Sequence, residues 1–110
     1  MLDKTMSKDL NKLTSAIKLW SAERGIDNSN PKDQMLKVGE EVGELFSAVA
    51  RGNFDLIIDS AGDVFVTLVI LCQQYQIELA DCVNAAYNEI KDRKGEKIDG
   101  IFVKEEDLDE

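Results

Sequence analysis

Histidine is absent from this 110-residue chain, and proline occurs once. The first absence excludes Ser-His-Asp triads, His-ligated zinc and the Glu-x-x-His ligand pairs of ferritin-like di-iron bundles. The second, with only seven scattered glycines, leaves no low-complexity linker, and no internal repeat is present. The two cysteines, Cys72 and Cys82, have apolar neighbours and a spacing unlike any zinc motif. They are expected to be reduced core thiols of a cytoplasmic protein. The longest apolar run, Val64 to Cys72 with Thr67 inside it, is too short to span a bilayer. The opening Met1-Leu2-Asp3-Lys4-Thr5-Met6 is mixed and polar, unlike a signal peptide. No membrane partner is expected.

Positive charge is also scarce. Thirteen Lys and Arg face 22 Asp and Glu, for a net charge of −9. That balance argues against a nucleic-acid polymer as partner, which needs a basic surface. It leaves a nucleotide open, because a divalent cation can bridge acidic protein to phosphate. Five acids and one lysine fall in the last ten residues. Residues 105–110 therefore read as an acidic, mobile tail behind a single helical domain over residues 1–104. A chain this short buries a modest core by itself, so an oligomer is expected.

Periodicity predicts four helices. The first runs from about Ser7, its N-cap, to Glu23, with Leu10, Leu13, Ile17 and Trp20 at three- and four-residue spacing. Asn30-Pro31 reads as N-cap and first position of a second helix reaching Arg51. Its seam is expected at Met35, Val38, Val42, Leu45 and Val49. Gly52 ends it and Asn53 opens a third helix, about Phe54 to Tyr75, apolar on nearly every side in its second half. A helix of that kind must be covered all round, which points to a subunit interface. The fourth helix, about Glu78 to Arg93, is expected to turn Leu79, Cys82, Val83, Ala86 and Ile90 inward. Lys97 to Val103 reads as a short extended piece or small hairpin.

Two acidic clusters interrupt these apolar patterns. Glu40, Glu41 and Glu44 lie in Lys37-Val38-Gly39-Glu40-Glu41-Val42-Gly43-Glu44-Leu45, and Asp59 and Asp63 in Ile57-Ile58-Asp59-Ser60-Ala61-Gly62-Asp63-Val64-Phe65. At about 100° per residue, Glu41 borders the expected seam, Glu44 flanks it and Glu40 falls almost opposite. Asp55, Asp59 and Asp63 form a stripe that continues as Val66 and Ile70. An acidic stripe that turns apolar points toward a bundle interior or its mouth. Acids on helices are ordinarily solvated surface. Here, however, Glu41, Glu44, Asp59 and Asp63 could meet across a helix pair and hold Mg²⁺, with Mn²⁺ as an alternative: oxygen ligands suit such hard cations. Without a cation, mutual repulsion should raise some of their pKa values.

These segments resemble the MazG-like family of all-α nucleoside triphosphate pyrophosphohydrolases, in its compact, phage-type form. The family motif is Glu-x-x-Glu, then, after a dozen or more residues, Glu-x-x-Asp. Glu41-Val42-Gly43-Glu44 matches the first half and Asp63 the final Asp. Ser60 stands where the second Glu is expected; Asp59 is one turn from Asp63 and could take its place. The likeness extends to the Trp-containing segment Ile17 to Gly25, the lead-in Asn30-Pro31-Lys32-Asp33-Gln34 with Lys37, and the last helix Ala85 to Gly95.

The resemblance implies an all-α, four-helix-bundle-type fold with a short non-helical tail, assembled as a homodimer or homotetramer. It implies Mg²⁺-dependent cleavage of a (d)NTP between the α and β phosphates. Glu41, Glu44, Asp59 and Asp63 would hold metal, and Glu40 or Glu41 would take a proton from the attacking water. Lys37, Asn88, Lys91 and Lys94 would contact phosphate, and Trp20 the base. The competing readings are plain. Trp20, Phe46 and Tyr87 suit packing, and Lys91 and Lys94 suit a basic helix end favoured by the dipole. A non-catalytic oligomer with an acidic nucleotide-sensing, metal-sensing or protein-interaction site is the runner-up, kept open by Ser60. A charge mimic that binds a basic partner is weaker, because its acids would spread over exposed faces.

Overall fold

A computed structural model describes residues 8–108. Packing divides the chain into two compact units, Met1–Leu79 and Ala80–Glu110. Among the described residues no helix is long and apolar enough to cross a membrane.

Among the described residues the first helix is α1 (Leu10–Glu23). Asp9 caps it, its carboxylate accepting from Asn11 N at 2.9 Å and Lys12 N at 3.2 Å; the cap expected at Ser7 lies outside the described residues. A short 3-10 turn over Ile26–Asn28 leads to α2 (Pro31–Arg51). Asn30 caps α2 as expected, accepting from Lys32 N at 2.9 Å. Gly52 stops it in the left-handed region, φ 64°, where a residue without Cβ is unstrained. Asn53 then caps α3 (Phe54–Gln74) through Leu56 N at 3.2 Å.

So short a connection folds α3 back against α2, and this is the most extensive helix contact in the chain. The pair is pinned by one buried side-chain bond: Gln34 Nε2 donates to Thr67 O at 3.1 Å. Its register differs from expectation. The buried positions of α2 are Gln34, Val38 and Ala48, whereas Met35 and Val49 are exposed. The seam is therefore Gln34, Val38, Glu41, Leu45, Ala48, turned by one residue at three of its five positions from the expected one. On α3 the matching line is Leu56, Ser60, Asp63, Thr67, Ile70, in which Ser60, Thr67 and Ile70 are buried. α1 packs on the far half of α3, where Gln73 Nε2 donates to Lys18 O at 3.0 Å.

The second unit holds α4 (Leu79–Ile90) from Ala80 onward and a hairpin of β1 (Gly95–Ile98) and β2 (Ile101–Lys104). The strands pair antiparallel, Gly95 opposite Lys104 and Ile98 opposite Ile101. The two-residue turn, Asp99-Gly100, has positive φ at both positions, 50° and 83°, as a twisted hairpin requires. A 3-10 turn over Glu105–Asp107 follows, so this part of the expected tail is structured. Residues 109 and 110 lie outside the described residues. The inward face expected of α4 is corrected: Cys82, Val83, Ala86 and Ile90 are exposed, and Leu79 is half-buried. The physical reason is that α4 has no second helix within its own unit to cover that stripe. Cys72 is half-buried and Cys82 exposed, so only Cys72 approaches the expected core position.

Because Gln34 sets the α2–α3 register, Gln34→Ala should lower unfolding stability by about 1–2 kcal/mol, the scale of a lost buried hydrogen bond and its packing, read by urea denaturation. A variant as stable as the parent would show that the bond does not hold the pair.

Candidate metal centre

Glu41 and Asp63 occupy seam positions of facing helices, places that periodicity reserves for apolar side chains. Glu44, one turn beyond Glu41, projects from the same side of α2. One oxygen of each of Glu41, Glu44 and Asp63 lies within 4.8 Å of the others. Glu41 and Asp63 are half-buried and Glu44 is exposed, so the trio has a closed side and an open side.

Glu41 carries the electrostatic cost. Its Oε2 is shut off from solvent and has no hydrogen-bond partner. Burial holds its pKa above the ordinary carboxylate range, and the charges of Glu44, Asp63 and Glu40 push it further; Lys37 opposes them. A carboxylate with an orphaned oxygen, raised pKa and two acidic neighbours is what a hard cation would relieve. The donor set of three carboxylates with open positions for water fits Mg²⁺ or Mn²⁺.

Ser60 also belongs to this level of the seam. Gln34 lies across from Thr67; seven residues farther along α2 and seven back along α3 are Glu41 and Ser60, two turns from that bond on each helix. Ser60 is fully buried, and its Oγ has no partner.

The other expected site residues fall outside the trio. Asp59 is exposed on α3 and does not join the group that Glu41, Glu44 and Asp63 form. Glu40 points away from the seam and pairs with Lys37, Nζ to Oε2 at 3.3 Å, both exposed. Trp20 is 45% exposed. One face of its indole is covered by the Arg24 guanidinium, 4.4 Å from the ring centre, and the ring lines an apolar pocket with Leu13, Ala16, Ile17 and Val66. Asn88 and Lys94 line a polar pocket of the second unit together with Arg93 and Lys104; Lys91 is exposed outside it.

Three participants carry no apolar signal in the sequence. Gln34 and Thr67 are polar residues at seam spacing, a signal that apolar counting discards. Arg24 follows Trp20 by four residues, the spacing of a cation–π pair on one helix face.

Comparison with known proteins bears on this arrangement. The family described as the MazG nucleotide pyrophosphohydrolase domain matches residues 29–97, a span that includes Glu41, Glu44, Ser60 and Asp63. The chain is also 44% identical over 71 residues to an uncharacterized 18.2 kDa protein of the rep-hol intergenic region of Haemophilus phage HP1 (strain HP1c1). That stretch covers 64% of this chain and 44% of the phage protein, so the chain spans less than half of that relative's length. No solved structure gives a significant match.

The raised pKa of Glu41 has a definite sign in stability. Its carboxyl binds a proton more readily folded than unfolded, so without divalent cations its contribution to stability is fully present below the ordinary Glu pKa. It should fall as pH rises through the folded value, with the loss complete above it. Glu41→Gln should therefore be more stable than the parent at pH 8 in EDTA, with the gap closing toward pH 4, as read by urea unfolding. A gap independent of pH would contradict the assignment.

Proposed function

The chain belongs to the MazG nucleotide pyrophosphohydrolase family, and on that premise we propose that it is a Mg²⁺-dependent hydrolase that cleaves a (d)NTP between the α and β phosphates. The observation that carries this reading is the convergence of Glu41, Glu44 and Asp63 from two packed helices, with their oxygens within 4.8 Å of one another.

Glu41, Glu44 and Asp63 would hold the divalent ion. When bound, the ion offsets phosphate charge and acidifies a coordinated water. The residues do the rest. The seam fixes Glu41 and Asp63 before substrate arrives, so little reorganisation is needed at the moment of reaction. Glu41, within the trio, is the carboxylate placed to accept the proton of the attacking water; Glu40, the other carboxylate expected in that role, points away from the seam. The water oxygen bonds to phosphorus, the bridging P–O bond between the α and β phosphates breaks, and nucleoside monophosphate and pyrophosphate leave. Lys37, one turn before Glu41, is the cation on α2 suited to a substrate phosphate, with its Glu40 partner exchanged. Asp59 stands one turn outside the trio and is not required by it.

A homodimer or homotetramer completes the reading. Leu36, Phe46 and Phe54 are each about three-quarters exposed, at 74%, 74% and 76%. Apolar side chains this large and this open mark association surfaces.

One observation favours the runner-up, a sensor that binds nucleotide without turnover: Ser60, a buried hydroxyl, stands at the motif position of a second Glu. A nucleotide panel with Mg²⁺ or Mn²⁺ separates the two. Pyrophosphate should be released from at least one NTP or dNTP and stop with EDTA. Glu41→Gln and Asp63→Asn should each reduce the rate at least about 100-fold, the scale of a lost catalytic group, with helix content unchanged by circular dichroism. Nucleotide binding without pyrophosphate release would establish the sensor, and undiminished rates in both variants would refute the site.

A further inference from the structure

A buried polar line crosses the α2–α3 seam. Gln34 Nε2 donates to Thr67 O at 3.1 Å, and Thr67 Oγ1 in turn donates to Val64 O at 2.8 Å. Both residues are buried. The line starts on α2 seven residues, or two turns, before Glu41 and ends on α3 at the residue beside Asp63. Seam positions this enclosed are ordinarily apolar. Apolar contact is non-directional and holds two helices together over a range of alignments. A hydrogen bond is directional and weakens steeply once its angle or length departs from the preferred range. A slide of one residue would move a helix about 1.5 Å along its axis and call for a turn of about 100° to restore the face, enough to break the Gln34–Thr67 bond.

The acidic trio is sensitive to the same slide. Glu41 and Glu44 come from α2 and Asp63 from α3, so the alignment of two helices sets their spacing and neither helix sets it alone. Mg²⁺ demands near-octahedral oxygen ligands at about 2.0–2.1 Å, whereas Ca²⁺ accepts irregular ones at about 2.3–2.6 Å. A helix pair free to slide would suit the tolerant ion. A pair held in register suits the exacting one.

We propose that Gln34 is a positioning residue for the metal centre: its bond to Thr67 holds α2 and α3 in the register in which Glu41, Glu44 and Asp63 select Mg²⁺ over Ca²⁺. This rests on the reading of the trio as the metal site of the hydrolase. Gln34 stands two turns from the carboxylates and acts through the helices that carry them. The coupling is reciprocal. A bond that favours the metal-binding register is itself favoured when the ion is bound.

The test is competition of Mg²⁺ and of Ca²⁺ against Mn²⁺ bound to the whole chain, read by electron paramagnetic resonance where circular dichroism shows each variant folded. Gln34→Met keeps the side-chain length and loses the donor. It should weaken Mg²⁺ about tenfold, the scale of a lost supporting partner at a metal site, and Ca²⁺ by less than about threefold, because Ca²⁺ tolerates irregular ligands. Val69→Ala removes a buried side chain of α3 six residues from Asp63; it should lose stability and keep the parent's preference. In the parent, the Gln34 side-chain amide protons should exchange with solvent more slowly as Mg²⁺ saturates. The slowing should exceed that of Gln73, whose amide bonds Lys18 O outside the seam, and it decides the matter if Gln34→Met does not fold. A parent that binds Mn²⁺ with the same Mg²⁺ to Ca²⁺ preference as Gln34→Met would overturn the positioning role and leave the metal site standing. An equal loss of preference in Val69→Ala, or equal slowing at Gln34 and Gln73, would do the same. A parent that binds no Mn²⁺ would remove the metal site and the role with it.

Discussion

The α2–α3 seam is the constraint on which the rest depends. Gln34, buried at the start of α2, donates to the Thr67 carbonyl far along α3. With a turn as tight as Gly52-Asn53, that bond leaves few ways to align the pair. In the alignment it selects, Glu41 and Asp63 are seam residues. Their carboxylates meet because the helices meet, and Glu44 joins from the next turn. The same alignment sets Ser60 level with Glu41.

Such a seam works against itself when empty of cations. Apolar contact at Val38, Ala48 and Ile70 draws the helices together, while desolvation and mutual repulsion of the acids oppose it. Packing prevails, and the opposition remains as a raised Glu41 pKa and an orphaned Oε2. The fold stores an unmet demand for positive charge at one place. The proposed hydrolase would use that property, since a cation drawn there would also draw phosphate.

Much of this was legible in the residues. Asn30-Pro31 and Gly52-Asn53 mark helix ends by backbone chemistry that tertiary context rarely overrides, and both hold to the residue. Lys97 to Val103 reads as a short extended piece or small hairpin, and the hairpin that forms spans residues 95–104. Glu41, Glu44 and Asp63 stand out as acids in apolar runs. The seam register was not legible, because Met35, Val42 and Val49 are more apolar than Gln34, Glu41 and Ala48, the residues that hold those turns of the seam. Periodicity counts hydrophobicity, whereas this interface buries an amide for its hydrogen bond and a carboxylate for its charge. The position of Asp59 depended on that register and so could not be read in advance. The exposed stripe of α4 is legible as amphipathic, but nothing in a single chain names what covers it.

The central claim is that three carboxylates aligned by one helix pair form a chelating site. Electron paramagnetic resonance of Mn²⁺ titrated into the EDTA-stripped protein tests it most directly, because it counts bound ions without relying on turnover. The account predicts saturable Mn²⁺ binding displaced by Mg²⁺, and weakened at least about tenfold by Glu44→Gln or Asp63→Asn, the loss of one ligand's charge. Mn²⁺ that stays free in solution, or binds the parent and both variants alike, would contradict it.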